Sequence, residues 1–350
     1  MKGIKRKLFF RNIKILEVGE DTLIGARGYR LFRYTSSSGK WTYIGKVADT
    51  KFALASRFRL ISRLLRTEIH FFSTLTGGAQ VCVAKNGIFK LNKTSRRFEK
   101  CFNITRGSRP LNLCEDTDGN LYFGEYFHNA EREPVHVYRS ADQGDTWSIV
   151  YSFPAGSIRH IHGIHADPYT GALWVTTGDL EGECIIGYTT DQFATFNTVF
   201  RGGQEYRACN LLFFKDKVVY GTDSETALNF IKQFDRNTMK VTDIAPIQGS
   251  VISAVKAGDK CFLSTTVEPS EVNLDQNAYL WMYNNVNGEA SVIASYPKDR
   301  LDHIYFQFGL CRLPEYKTGN CNHIYFSGAA LRGIDGHSVG LYIGDMNQGS

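Results

Sequence analysis

The sequence predicts an all-β chain of seven four-stranded antiparallel blades, a seven-bladed β-propeller, on three observations. One unit, an apolar strand running into a polar turn and then a second strand, recurs along the 350 residues at a spacing of roughly 50 residues, the length of a propeller blade. A second, near-continuous apolar run stands upstream of several of these units, as strands covered on both faces require. Composition agrees, since 24 Phe and 18 Tyr supply the aromatics sheets favour and 33 Gly against 8 Pro supply tight turns.

The units follow in order. The first is Leu31-Phe32-Arg33-Tyr34 before Thr35-Ser36-Ser37-Ser38-Gly39, and the second Ile88-Phe89-Lys90-Leu91 before Asn92-Lys93. In the third, Val137-Tyr138-Arg139 enters residues 140–147; in the fourth, Ile186-Gly187-Tyr188 enters Thr189-Thr190-Asp191. The fifth is Ile231-Lys232-Gln233-Phe234 before Asp235-Arg236-Asn237, the sixth Leu280-Trp281-Met282-Tyr283 before Asn284-Asn285, and the seventh Leu341-Tyr342-Ile343. Upstream apolar runs lie at residues 119–124, 171–176, 217–222, 260–265 and 322–327. The seventh unit is short of an outer strand, so residues 7–15 are expected to complete that blade and close the ring, which removes a sheet edge. No linker interrupts the repeat, and residues 1–350 read as a single domain.

The third turn, Ser140-Ala141-Asp142-Gln143-Gly144-Asp145-Thr146-Trp147, specifies a tight hairpin. Gly144 supplies a positive φ, Ser140 and Asp142 bond turn amides, and Trp147 packs its indole on the blade. This S-x-D-x-G-x-T-W pattern resembles the Asp box, or BNR repeat, of sialidase-like β-propellers. Thr189-Thr190-Asp191-Gln192-Phe193 and Ser36-Ser37-Ser38-Gly39-Lys40-Trp41 read as eroded copies. Phe58-Arg59-Leu60-Ile61 approaches the start of a sialidase catalytic domain but lacks its proline.

Hydrophobic residues at 43% and charged residues at 22% are an ordinary soluble balance. No apolar stretch approaches the roughly 20 residues of a membrane span, and no secretory leader follows the first basic residues. The eight cysteines are scattered without a C-x-x-C pair and read as buried thiols of a reducing compartment, so a cytoplasmic location is expected. The net charge of +6 is partly N-terminal, at Lys2, Lys5, Arg6, Lys7, Arg11 and Lys14. Interleaved Leu8-Phe9-Phe10 and Ile13-Lys14-Ile15 mark a solvated strand face rather than a nucleic-acid arm, while the positive balance favours an anionic partner.

In a propeller, loops entering the inner strands and loops leaving the second strands open on one face. The first set holds Arg63, Arg66 and His70, then Arg109, then Arg159, His160 and His162, then Tyr206 and Arg207, then Asp302, His303 and Tyr305. The second holds Glu125, Tyr126 and His128, then Asp179, Glu181 and Glu183, then Asp223 and Glu225. The densest run is Ile158-Arg159-His160-Ile161-His162-Gly163-Ile164-His165, in which His160 and His162 share a face at period two and His165 has the opposite parity.

Two imidazoles so spaced serve as a general base, as ligands of one divalent metal with Asp179 or Glu125, or as a hydrogen-bonded structural pair. No dedicated metal site or other cofactor is assigned. The expected function is a carbohydrate-active propeller binding an anionic, uronate- or sialate-like saccharide. A polysaccharide or oligosaccharide lyase of surface-glycan metabolism would place His160 or His162 as base, Tyr206 as acid, and Arg159 or Arg207 against the carboxylate. His160, His162, Tyr206 and Arg207 form the catalytic set; Arg63, Arg109, Glu125, His128, Arg159, Asp179, Asp223 and His303 form the substrate-binding set. The alternatives are a non-catalytic propeller binding a glycan or a protein partner, and a sialidase-like hydrolase drawing on Arg59, Arg109, Arg159 and Arg207.

Overall fold

The strands of the computed structural model, which describes residues 7–318 and 322–344, assemble mainly in antiparallel runs of four, with the short strand Glu315–Tyr316 added in parallel beside Lys14–Val18. Lys2, Lys5, Arg6 and Cys321 lie outside the described residues. The chain divides into two compact units, one from residues 69–252 and the other from the residues before and after it.

In the 69–252 unit each sheet is a meander in chain order. Phe71–Thr74, Gln80–Ala84, Gly87–Asn92 and Arg97–Asn103 make the first, and Cys114–Glu115, Leu121–Gly124, Val135–Ser140 and Ser148–Phe153 the second. The third joins His160–Ala166, Leu173–Gly178, Cys184–Thr189 and Asn197–Gly202; the fourth joins Leu212–Phe213, Lys217–Gly221, Asn229–Asp235 and Val241–Ile247. Second strands are buried along their length, as in Gln80–Ala84 and Leu173–Gly178, because neighbouring sheets cover both faces. Outer strands such as Ser148–Phe153 are mostly open to solvent. Between the second and third sheets, Tyr122, Val137 and Phe153 pack with Ile161, Ile164 and Val175.

The hairpin at residues 140–147 has the expected internal bonds. Gly144 N donates to Ser140 Oγ at 2.8 Å, Thr146 N to Asp142 Oδ1 at 2.8 Å, and Trp147 Nε1 to Gly144 O at 3.1 Å, with Gly144 at φ +94°. The turn at residues 189–195 repeats that geometry without the motif. Phe193 N donates to Thr189 Oγ1 at 3.1 Å, and Thr195 N to Asp191 Oδ1 at 2.9 Å, with Phe193 at φ +73° in the glycine's place. What reads as erosion is a substituted turn with its hydrogen bonds intact.

In the other unit, Lys14–Val18, Thr22–Arg27, Arg30–Thr35 and Lys40–Val47 form one meander, and Val251–Ala257, starting at the boundary, forms another with Lys260–Thr265, Asn277–Asn284 and Glu289–Pro297. A further sheet has the order Lys7–Phe10, Ser338–Tyr342, His323–Ala329, Leu310–Arg312. An N-terminal strand thus completes a C-terminal sheet, with Lys7 opposite Leu341 and Phe10 opposite Ser338. The strand is shorter than residues 7–15. Asn12 at φ +53° breaks the run, and Lys14–Val18 turns away to begin its own sheet. The stretch beginning at Phe58 runs into a helix, Arg59–Leu65, accompanied by the short helices Thr50–Ala53, Ala55–Arg57 and His303–Phe306. Among the described residues no helix is long and apolar enough to cross a membrane.

Candidate functional site

The inner strand His160–Ala166 does not keep strict alternation. Its register against Leu173–Gly178 shifts between Ile161 and Gly163, leaving His162 as the extra residue of a β-bulge. The neighbouring glycines make room for this. A β-carbon on Gly178, which pairs with His160, would stand 2.6 Å from His162 Cε1, and one on Gly163 would stand 2.4 Å from His165 Nε2. The bulge re-aims a side chain, and the missing β-carbons accept it.

The two imidazoles converge. His160 Nε2 stands 3.2 Å from His162 Nε2, and Asp179 Oδ1 is 3.3 Å from the first and 3.1 Å from the second. Each ring is held from behind by main chain, with His160 Nδ1 3.0 Å from Phe127 O and His162 Nδ1 3.2 Å from Ala208 O. A carbonyl oxygen only accepts, so both Nδ1 atoms carry hydrogen and a neutral imidazole presents a lone pair at Nε2. Two such lone pairs and a carboxylate oxygen cannot face one another at these separations without a proton or a cation among them.

The surrounding charges agree. Arg159 Nη1 donates to Asp179 Oδ2 at 3.0 Å, and Arg207 Nη2 lies 3.1 Å from Asp179 Oδ1. Burial pushes the Asp179 carboxyl up, but the hydrogen bonds and charge it shares with His160 and His162 outweigh burial and hold it well below the usual carboxylate range. Burial pushes His160 down from its ordinary value, against the pull of Asp179. Asp223 is raised by burial although Arg207 opposes the shift; its Oδ2 is 3.5 Å from Arg207 Nε and accepts from the Cys209 thiol at 3.4 Å. The Tyr126 ring lies over His160 with centroids 4.2 Å apart, and burial first, then Cys209, Asp179 and Asp223, raise its phenol, which therefore stays protonated.

His160, His162 and Asp179 form a group able to hold a metal ion, and His162, Cys209 and Asp223 form a second. The first fits better. An ion about 2.1 Å from each donor requires donor separations of about 3.0 to 3.4 Å, which the 3.1 to 3.3 Å spacings match. The second group needs the Cys209 thiolate, whereas burial holds that thiol well above its ordinary value.

The structure thus brings together His160, His162, Arg159, Asp179, Arg207 and Asp223 of the expected residues, with His128 Nδ1 2.6 Å from Arg159 Nη2. Arg109 stands by His70, Nη1 to Nε2 3.1 Å. Glu125 is committed locally, accepting from Arg106 Nη1 at 2.7 Å and His136 N at 3.0 Å. Tyr206 is not against the histidines; its ring stacks on Phe200 at 5.1 Å and packs in the neighbouring sheet's core. Arg63 and His303 belong to the other unit, where Arg63 is buried against Asp299 and the Phe306 carbonyl and His303 stacks on Phe308. Cys209 and the closeness of Tyr126 to His160 escaped sequence reasoning. The signal for Tyr126 was its place directly after the second strand Leu121–Gly124 and Glu125.

No protein-family model matches the chain, and no curated protein matches it by sequence. Solved structures do. An oligogalacturonate lyase in complex with manganese is similar at a TM-score of 0.61 and 10% identity, over 98% of this chain and 92% of that one. An oligogalacturonate lyase from Vibrio parahaemolyticus is similar at 0.60 and 9% identity, over 96% and 91%. The extracellular domain of a putative one component system from B. thetaiotaomicron matches at 0.57 and 12% identity, over 97% of this chain and 40% of that one. These likenesses show a β-propeller fold.

Proposed function

We propose that the protein binds an anionic, uronate-like saccharide at the His160–His162–Asp179 centre and cleaves it by β-elimination. The observation that carries this reading is the convergence of two Nε2 atoms, each fixed by an Nδ1–H to a main-chain carbonyl, on a carboxylate flanked by Arg159 and Arg207. The similarity in fold to oligogalacturonate lyases supports it.

Elimination begins at a weakly acidic carbon beside the uronate carboxylate. A cationic environment must stabilise the charge that develops there, and Arg159 and Arg207, which flank Asp179, supply it. His160, held neutral by burial, takes the C5 proton at Nε2. The electron pair forms the C4–C5 double bond, the C4–O bond breaks, and the Tyr126 hydroxyl gives its proton to the departing oxygen. Tyr126 takes the acid's part in place of Tyr206 because its ring lies on His160. The Nε2 lone pair of His160 serves either as base or as ligand, so a divalent cation held by His160, His162 and Asp179 would be an alternative to this proton transfer, supplying Lewis-acid stabilisation of the carboxylate when bound.

Incubation with uronate oligosaccharides, read by ultraviolet absorbance of the unsaturated product, tests the reading. The parent protein is expected to give product and the His160→Ala/His162→Ala variant none. Absence of product across a broad panel, or a double variant as active as the parent, rejects it.

A further inference from the structure

The helical segment in the unit formed by the chain's two ends has its polarity inverted. In Arg59–Leu65 the buried residues are Ser62 and Arg63, whereas Leu60, Ile61, Leu64 and Leu65 are exposed. Arg63 Nη1 donates to Asp299 at 2.6 Å, and its Nε and Nη2 donate to Phe306 O at 2.9 and 2.6 Å. Arg59 makes a two-point bond to Asp335 at 2.9 and 2.6 Å. The helix His303–Phe306, capped by Asp302, extends the outward face with Ile304 and Tyr305, and Leu54, Phe58 and Leu301 add to it. Ionic groups therefore hold the inner face while the large aliphatic and aromatic side chains stand in water. Leu60 is 57% exposed and Ile304 68%, so these side chains project rather than line a groove.

Scattered surface leucines are ordinary, but this many in two adjoining short helices form a patch that a soluble monomer rarely leaves uncovered. Its flanks narrow the choice of what covers it. Lys51, Arg57 and Arg300 are exposed beside it, while Asp49 and Asp302 are occupied as helix caps and Asp299 and Asp335 pair inward with Arg63 and Arg59. Projecting apolar side chains bordered by cations are complementary to the interface of a bilayer carrying anionic lipid: the apolar tips enter the acyl boundary, and the cations meet the headgroups.

We infer that this face is a peripheral membrane-docking surface that seats residues 54–65 and 301–305 on an anionic bilayer. The inference is independent of the saccharide reading. Flotation of the full chain with phosphatidylcholine vesicles containing phosphatidylglycerol tests it. The parent is expected to float, with partitioning down by about tenfold on vesicles of phosphatidylcholine alone and again at high salt. The Leu60→Ser/Ile304→Ser variant is expected to lose flotation by a similar factor while melting like the parent, and Leu274→Ser, at an exposed leucine elsewhere, to float normally. A parent that stays unbound overturns the inference, as does equal flotation on the neutral vesicles or a double variant that floats like the parent. A parent oligomer that the double variant dissociates also overturns it, since the face would then belong to a second copy.

Discussion

Gly178 leaves open the space that the His162 ring occupies, for a β-carbon at Gly178 would lie 2.6 Å from His162 Cε1 and 3.2 Å from Arg207 Cγ. The backbone there needs no left-handed φ, so the glycine answers to side-chain room alone. Gly178→Ala is expected to push the imidazole off Asp179 and lower uronate turnover by about a hundredfold, since an ångström of misplacement costs roughly that much. The thermal midpoint should move by only a few degrees. Turnover in Gly178→Ala equal to the parent's would show that His162 need not hold its place.

Tyr126 and Tyr206 separate two versions of the chemistry. Tyr206→Phe keeps the stacking on Phe200 and should leave turnover within about twofold of the parent. Tyr126→Phe keeps the ring over His160 but removes the hydroxyl proposed as proton donor, and should lower kcat by about a hundredfold or more with little change in KM. The opposite ranking would return the acid's role to Tyr206.

The repeat was legible because its signals are local: a turn glycine, an apolar run, the bond of an Asp to amides a few residues on. Most of the candidate cluster was legible for the same reason, since inner-strand starts and second-strand ends follow from strand register. Tyr206 was misplaced because Gln204–Tyr206 is a turn of 3-10 helix, which rotates the ring onto Phe200 while Arg207 still reaches Asp179. The bulge at His162 is visible only through pairing with a partner strand. The helix Arg59–Leu65 was hidden because its apolar residues point outward, the reverse of the pattern by which a buried helix face is recognised. Phe193 made the turn at residues 189–195 read as eroded, because a bulky residue at positive φ is rare without tertiary packing to hold it.

His165 carries a pH dependence of stability. Burial pushes its imidazole down to about 4, against a bond to the Cys209 main chain, while the unfolded chain titrates near 6.5. The folded value is the lower one, so the unfolded state binds more protons between them, and stability falls as pH drops from about 6.5 toward 4. The loss attributable to His165 is on the order of 2–3 kcal/mol, and burial of His160 works in the same direction. Urea midpoints across this range should fall for the parent and less steeply for His165→Gln. Parallel slopes would assign the dependence to other groups.

The substituted turn at residues 189–195 sets two effects against each other. Phe193 sits at φ +73°, and replacing it by glycine relieves about 1–2 kcal/mol of backbone cost. The same ring is 2% exposed and packs on Tyr122 and Tyr151 at centroid distances of 5.7 and 6.0 Å, and truncating a buried phenylalanine costs about 3–5 kcal/mol. Packing is the larger quantity, so Phe193→Gly is expected to destabilise the protein by about 2–3 kcal/mol even though it restores the glycine of residues 140–147. The reciprocal site has only the backbone term. A β-carbon on Gly144 meets nothing closer than Val81 Cγ1 at 3.4 Å, so Gly144→Ala should cost about 1–2 kcal/mol from its φ of +94°. Chemical denaturation of the two variants beside the parent measures both. A Phe193→Gly protein more stable than the parent would mean that strain, not packing, governs this turn.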